Sequence, residues 1–266
     1  MRDMNAIVGR CDLLLLTLDT LRYDVAQQAW EAGELPVLGQ HLPATGWERR
    51  HTPANFTYAA HHAFFAGFLP TPIAPGLHPR LFAAEFAGSE TTTSTTHTFR
   101  EPNIVAGLAA RGYHTLCIGG VGFFNMRTAL GSVLPAMFEE SHWSEDFGVT
   151  CAASTEHQVQ LANQRLREIP ATERVFLFIN IAAIHQPNCG YVPGATADSL
   201  ATHRAALRYV DRSLAPLLAT LKRRAPFFAI VCSDHGTAYG EDGYHGHRLN
   251  HPVVGEVPYF DFLWES

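Results

Sequence analysis

The sequence predicts an α/β protein built on a doubly wound, mostly parallel sheet with helices on both faces. Apolar runs bounded by turn residues recur at 12–18, 114–119, 175–184, 227–233 and 257–263. Their hydrophobicity is continuous rather than alternating, as in strands that helices cover on both sides. Between the runs lie stretches of helical spacing. No internal repeat or linker divides them, so residues 1–266 read as a single domain.

Taken in order, the run 12–18 (DLLLLTL) is the first strand, and Thr57 opens a helix that continues through the apolar residues to Ala66. The segment 71–98 is rich in Pro, Gly, Ser and Thr and lacks a sustained period, which marks a surface excursion; its Thr-rich run 91–98 reads as a solvated loop. Residues 103–111 (NIVAGLAAR) have helical spacing and stop at Gly112, the residue type that most readily closes a helix. A strand at 114–119 follows, then a helix over 154–168 and a strand at 175–184. Residues 198–224 form an amphipathic pattern that starts at the capping pair Asp198-Ser199. Strands at 227–233 and 257–263 complete the order; the tail from Tyr259 to Trp264 reads equally as a last strand or an interface.

Composition narrows the function. Hydrophobic residues make up 47% and charged ones 17%, which describes a compact globule with a sizeable core. A net charge of −6 offers no basic footprint for nucleic acid. The five cysteines (Cys11, Cys117, Cys151, Cys189, Cys232) are odd in number and never closely paired, and they read as reduced thiols. The apolar run 13–18 is too short for a signal segment or a membrane span, so the expectation is a cytoplasmic protein with no membrane association. Histidine, at 15 residues, is the outlier, and metal or phosphate chemistry would use it.

In doubly wound sheets the ligand site lies beyond the carboxyl ends of the strands. The first strand ends in Asp19, and the strand 227–233 ends in Ser233-Asp234-His235-Gly236. Two carboxylates brought together there repel one another, and a divalent cation is the usual reason to tolerate them. An imidazole beside them suits zinc or manganese. Thr57, at a helix N-terminus, sits where free N–H groups favour an anion. Each feature has a plainer alternative: Asp19 or Thr57 as a helix cap, the second turn as ordinary polar capping, and His185, His245, His247 and His251 as loop histidines. His62 carries no functional expectation.

Four motifs in chain order resemble the alkaline phosphatase superfamily, in its sulfatase-like branch, over nearly the whole length. They are Leu18-Asp19-Thr20-Leu21-Arg22-Tyr23-Asp24, the stretch from Thr57 to Pro70 (TYAAHHAFFAGFLP), Ile184-His185-Gln186-Pro187, and Ser233-Asp234-His235-Gly236 trailed by Gly240, Gly243 and His247. The resemblance implies an alkaline phosphatase-like fold in which Asp19, Thr57, Asp234 and His235 hold one metal. It places His185 and His247 near the substrate as catalytic groups and Arg22, His61 and His245 as substrate contacts, with an Arg22–Asp24 ion pair as the alternative for Arg22.

The departures from the family are informative. Sulfatases have Cys or Ser followed by Pro and Arg for conversion to formylglycine, whereas Thr57 is followed by Ala59 and His61, which excludes that chemistry. Threonine at this position resembles the phosphodiesterase- and phosphotransferase-like relatives. Thr20 after Asp19, and Ala182-Ala183 before His185, stand where relatives often carry acids, which implies one ion per chain: zinc or manganese ahead of calcium or magnesium. Relatives also continue past the strand resembling 257–263. That implies a site that is open, completed by a homo-oligomer or partner subunit, or built for a macromolecule-attached ester rather than a small one. The reading is therefore a metal-dependent hydrolase or transferase acting on a phosphate or phosphonate ester through Thr57. The alternatives are a sulfuric ester hydrolase without formylglycine, which the single lysine, Lys222, does not disfavour, and a non-catalytic metal-binding subunit.

Overall fold

A computed structural model describes residues 2–67, 82–84, 94, 97–99 and 103–265. Its elements run β1 (Asp12–Leu18), α1 (Tyr23–Glu31), β2 (Glu48–His51), α2 (Thr57–Ala66), β3 (Phe82–Ala84), β4 (His97–Phe99), α3 (Ile104–Ala109) and β5 (Tyr113–Ile118). Then follow α4 (Ala129–Val133), β6 (Glu140–His142), α5 (Ser154–Glu168), β7 (Arg174–Ile181), α6 (Leu200–Ser213), α7 (Ala215–Arg224) and β8 (Phe227–Cys232). The chain closes with β9 (Ala238–Tyr239), β10 (His245–Gly246), α8 (Pro252–Gly255) and β11 (Glu256–Trp264).

Seven strands form the main sheet in the order β2-β11-β8-β1-β7-β5-β6. The five from β8 to β6 are parallel, while β11 runs antiparallel to both its neighbours, β8 and the edge strand β2. The strand β1 lies in the middle, pairing Leu14 with Leu177 of β7 and with Ala229 of β8. Its side chains alternate between two cores. Leu14, Leu16 and Leu18 join α1, α5, α6 and α7 on one face, and Leu13 joins Tyr58 and Phe65 of α2 and Val105 and Leu108 of α3 on the other. Helices on both faces explain the continuous apolar runs, and the expected mostly parallel, doubly wound sheet is what the chain forms.

Several boundaries differ from expectation, each for a physical reason. The pattern 198–224 is two helices, because Pro216 in the first turn of α7 has no N–H to continue the helical ladder and its ring crowds the preceding turn. The run 175–184 is a strand only to Ile181; Ala182 to Ile184 are buried in the turn that follows. The helix at 103–111 spans Ile104–Ala109, capped by the Asn103 side chain on Ala106 N–H, and Gly112 then takes φ +81°. Edge strands β2 (ERRH) and β6 (ESH) had no apolar signature to betray them. The segment 71–98, with its Thr-rich run, lies outside the described residues apart from Ser94, β3 and part of β4, as does Pro70. No helix among the described residues is long and apolar enough to cross a membrane.

Candidate metal centre

The carboxyl end of β1 delivers Asp19, and the end of β8 delivers Asp234 and His235, all fully buried. A tight turn follows Asp19, in which Thr20 adopts φ +62°, a conformation costly for a residue with a Cβ. That turn aims the Thr20 N–H at Asp234 Oδ1, 3.3 Å away. Gly236 is required beside His235, since a Cβ there would meet Val253 O at 2.0 Å. Candidate ligand atoms of Asp19, Asp234 and His235 lie within 4.8 Å of one another.

Thr57 is the first residue of α2, and Phe56 occupies the cap position without a side-chain cap bond. The threonine hydroxyl is therefore not spent on capping. It donates to Asp19 Oδ2 at 3.4 Å and lies 3.3 Å from His235 Nε2.

The group fits a cation. Asp19 Oδ1 and Asp234 Oδ2 are buried and have no hydrogen-bond partner among the described residues, a costly state for carboxylates unless a charge arrives to pair them. Burial and the neighbouring Asp234 push Asp19 up to about 6. Burial pushes Asp234 up to about 7. His235 donates from Nδ1 to Gly236 O at 2.9 Å, which leaves Nε2 as a lone pair facing Asp234 Oδ2 at 3.5 Å and Asp19 Oδ1 at 3.8 Å. Orientation through the second ring nitrogen is how metal-binding histidines are commonly set, and burial keeps this ring below its ordinary value.

His247 and His185 flank this centre. The His235 and His247 rings are 4.6 Å apart, and His185 stands edge-on to His247 at 5.3 Å. Burial, then His235, His185 and Arg248, push His247 down to about 3.

Three residues expected as substrate contacts have surroundings of their own. Arg22 is buried and held by Asp24 at 2.6 and 2.9 Å, by Glu241 and by Thr237 O, so the ion pair with Asp24 is formed. His61 is buried beneath the centre, with Nδ1 3.8 Å from Asp234 Oδ2. Its Nδ1 donates to Thr57 O at 2.8 Å, its Nε2 accepts from Thr17 Oγ1 at 3.0 Å, and Phe64, Phe124 and Phe178 pack edge-on against it. Burial pushes it down to about 3, and the neutral ring holds the Thr57 carbonyl from beneath. His245 is exposed on the β9–β10 hairpin, across from Tyr239.

Two residues at the site escaped sequence reasoning. Asn180 donates to Asp19 Oδ2 at 3.1 Å and accepts from Val121 N–H at 3.1 Å. A lone amide inside the apolar run VFLFINIAAI, one residue from the strand's end, was its signal. Arg248, exposed, with its guanidinium 5.4 Å over the Phe56 ring, is the cation that acts on His235 and His247.

Solved structures share this fold at low sequence identity. The periplasmic domain of phosphoethanolamine transferase EptC from Campylobacter jejuni superposes with a TM-score of 0.60 and 12% identity, over 96% of this chain and 79% of that one. The corresponding EptC domain from Escherichia coli, in complex with Zn, gives 0.63 and 12% over 97% and 73%. A Vibrio parahaemolyticus protein of the alkaline phosphatase superfamily gives 0.58 and 14% over 94% and 60%. Curated protein sequences contain no significant match. The sulfatase family profile matches residues 13–258, which span both acidic strand ends, the Thr57 helix and the His185 turn, and the chain therefore belongs to the sulfatase family.

Proposed function

We propose that the protein cleaves or transfers a phosphate or phosphonate ester through Thr57, with one divalent ion held by Asp19, Thr57, Asp234 and His235. The observation that carries this reading is the Thr57 hydroxyl, 3.3 to 3.4 Å from His235 Nε2 and Asp19 Oδ2, beside two buried carboxylate oxygens without partners. When bound, a divalent ion lowers the proton affinity of the hydroxyl and takes up charge on the phosphoryl oxygens. Zinc agrees with the Asp, Asp, His and hydroxyl donors, and the Escherichia coli relative was crystallised with it.

Thr57 Oγ1 directs its hydrogen at Asp19 Oδ2. Its position at the start of α2 places the free N–H groups of the helix alongside the phosphoryl oxygens. Attack forms the Oγ1–P bond as the bond from phosphorus to the leaving oxygen breaks; the hydroxyl proton leaves through Asp19 Oδ2, its hydrogen-bond acceptor, and His185 supplies the proton that the leaving oxygen takes up, while His247, held neutral, contacts the substrate. The phosphothreonine is then released by water, in hydrolysis, or by an acceptor hydroxyl, in transfer. The names of the two EptC relatives support transfer.

A monoanionic diester suits the charges better than a dianionic monoester. Arg22 is consumed by Asp24 and Glu241, which leaves Arg248 as the cation flanking the centre among the described residues. The test is metal content together with turnover of aryl phosphodiester, phosphonate, phosphomonoester and sulfate substrates. About one ion per chain, lost in Asp234→Ala, and diester turnover lost in Thr57→Ala are expected. A protein that takes up no metal after reconstitution with zinc, manganese, magnesium or calcium would end this reading, and preferential sulfate turnover would replace phosphorus by sulfur.

A further inference from the structure

A second group of metal-ligating side chains stands where the chain enters α5 and shares no residue with the Thr57 centre. Asp146 lies in the short 3-10 turn Glu145–Phe147. Cys151 follows in a turn closed by its N–H on Gly148 O at 3.1 Å, and His157 is in the first turn of α5. One ligand atom from each lies within 4.8 Å of the others. Cys151 Sγ is 3.7 Å from His157 Nδ1, which is itself 3.3 Å from the Asp146 carbonyl. Asp146 is exposed, and Cys151 and His157 are half-buried, so the group opens to solvent. Among the described residues the Asp146 carboxylate has no hydrogen bond or ion pair.

We propose that Asp146, Cys151 and His157 form a second, peripheral site for zinc or a similar borderline divalent ion. A thiolate and an imidazole are poor donors for magnesium or calcium and good ones for zinc, and a carboxylate completes three protein ligands with the fourth position left to solvent. As the sulfur–metal bond forms, the thiol proton leaves to solvent, and the neutral imidazole contributes a lone pair. The ion would fasten the turn at 145–151 to α5. Gln158 of that helix donates to Asn180 O at 2.7 Å, and Asn180 in turn holds Asp19.

Cobalt titration of the metal-stripped full chain tests this, because thiolate-to-cobalt charge transfer absorbs in the near ultraviolet and the Thr57 centre has no sulfur. The expected result is a band that saturates at one cobalt per chain and is displaced by zinc. It should vanish in Cys151→Ser and weaken about tenfold or more in affinity in His157→Ala and Asp146→Asn. It should persist in Cys189→Ser, which removes the other half-buried thiol, and in Asp234→Ala, which disables the first centre. Circular dichroism confirms that each variant is folded. No band in the folded wild type, a band that survives Cys151→Ser, or cobalt binding indifferent to His157 would each overturn the proposal, whatever becomes of the Thr57 reading.

Discussion

Asp12 and Asp19 stand at opposite ends of the same strand, both buried, and their surroundings differ in kind. Asp12 Oδ2 accepts from Arg224 Nε at 2.9 Å, and Oδ1 accepts from Val175 N–H at 3.1 Å. Arg224 places its remaining donors on the carbonyls of Leu166, Ile169, Pro170 and Glu173. Asp19 receives Asn180 and Thr57 on Oδ2, has no partner on Oδ1, and faces a second carboxylate. The first end is electrically closed, so Asp12 and Arg224 are a fastening. The second is open by about one cation, which is the signature of a place where charge is meant to come and go. Burial alone does not distinguish them; completeness of pairing does.

The largest effect expected from breaking the open end is on chemistry. Thr57→Ala should lower turnover on the order of 10³-fold or more, because the proposed attacking group is gone. Metal should still bind, more weakly, since Asp19, Asp234 and His235 remain. Calorimetric metal titration beside steady-state kinetics separates the two. An alanine variant with most of its activity would return Thr57 to a structural role.

Next in size is the closed end. Arg224→Ala leaves Asp12 buried with Arg174, 3.6 Å from Oδ1 and partly exposed, as its remaining counterion, and this should cost about 3 kcal/mol in urea unfolding, the low end for a broken buried pair. Asp19→Asn, measured without metal, should cost less than about 1 kcal/mol, because it removes a repulsion and keeps the hydrogen bonds. The same substitution should abolish tight metal binding. Equal destabilisation by the two variants would mean that the Asp19 end is pinned as firmly as the Asp12 end, and the comparison would fail.

What could be read without coordinates follows the same division. The sheet was legible because helices on both faces force continuous apolar runs, and DLLLLTL or FFAIVC can hardly be anything else in a chain of this alternation. The antiparallel β11 was legible as a strand but not in direction, since its burial is similar either way. Asp19, Thr57, Asp234 and His235 were legible because each stands at an element end, where the chain order of strands and helices sends it to one crevice. The partners of Arg22 and His61 were not legible, because spacing along a turn or helix does not say what a side chain meets. Arg22 is claimed by Glu241, which is 219 residues away in sequence, and His61 by Thr17 on the strand beneath. Asn180 was hidden inside an apolar run that the strand assignment treated as uniform. Only pairing across β1 and β7, with Thr17 opposite Asn180, brings it beside Asp19.

A third carboxylate lies between the two extremes and sharpens the rule with a smaller effect. Glu140, on the edge strand β6, takes Arg165 Nε at 2.5 Å, Arg165 Nη2 at 3.0 Å and His114 Nε2 at 2.9 Å. Partial burial pushes its carboxyl up, but hydrogen bonds from Arg165, His142 and His114 outweigh that and hold it at about 2. A carboxyl depressed in the folded state binds its proton less readily there than in the unfolded chain. Its contribution is therefore complete above the ordinary value of 4.5 and disappears as pH falls from there towards about 2. Glu140→Gln should lower stability by about 1 kcal/mol near neutrality, less than a fully buried pair because solvent screens this one. In urea unfolding followed from pH 6 down to about pH 3, the gap between wild type and variant should narrow with acid. A gap that stays constant would show that shape and packing at Glu140, rather than its charge, stabilise the β6 edge. Completeness of pairing would then have to be judged by neutral contacts as well as by charge.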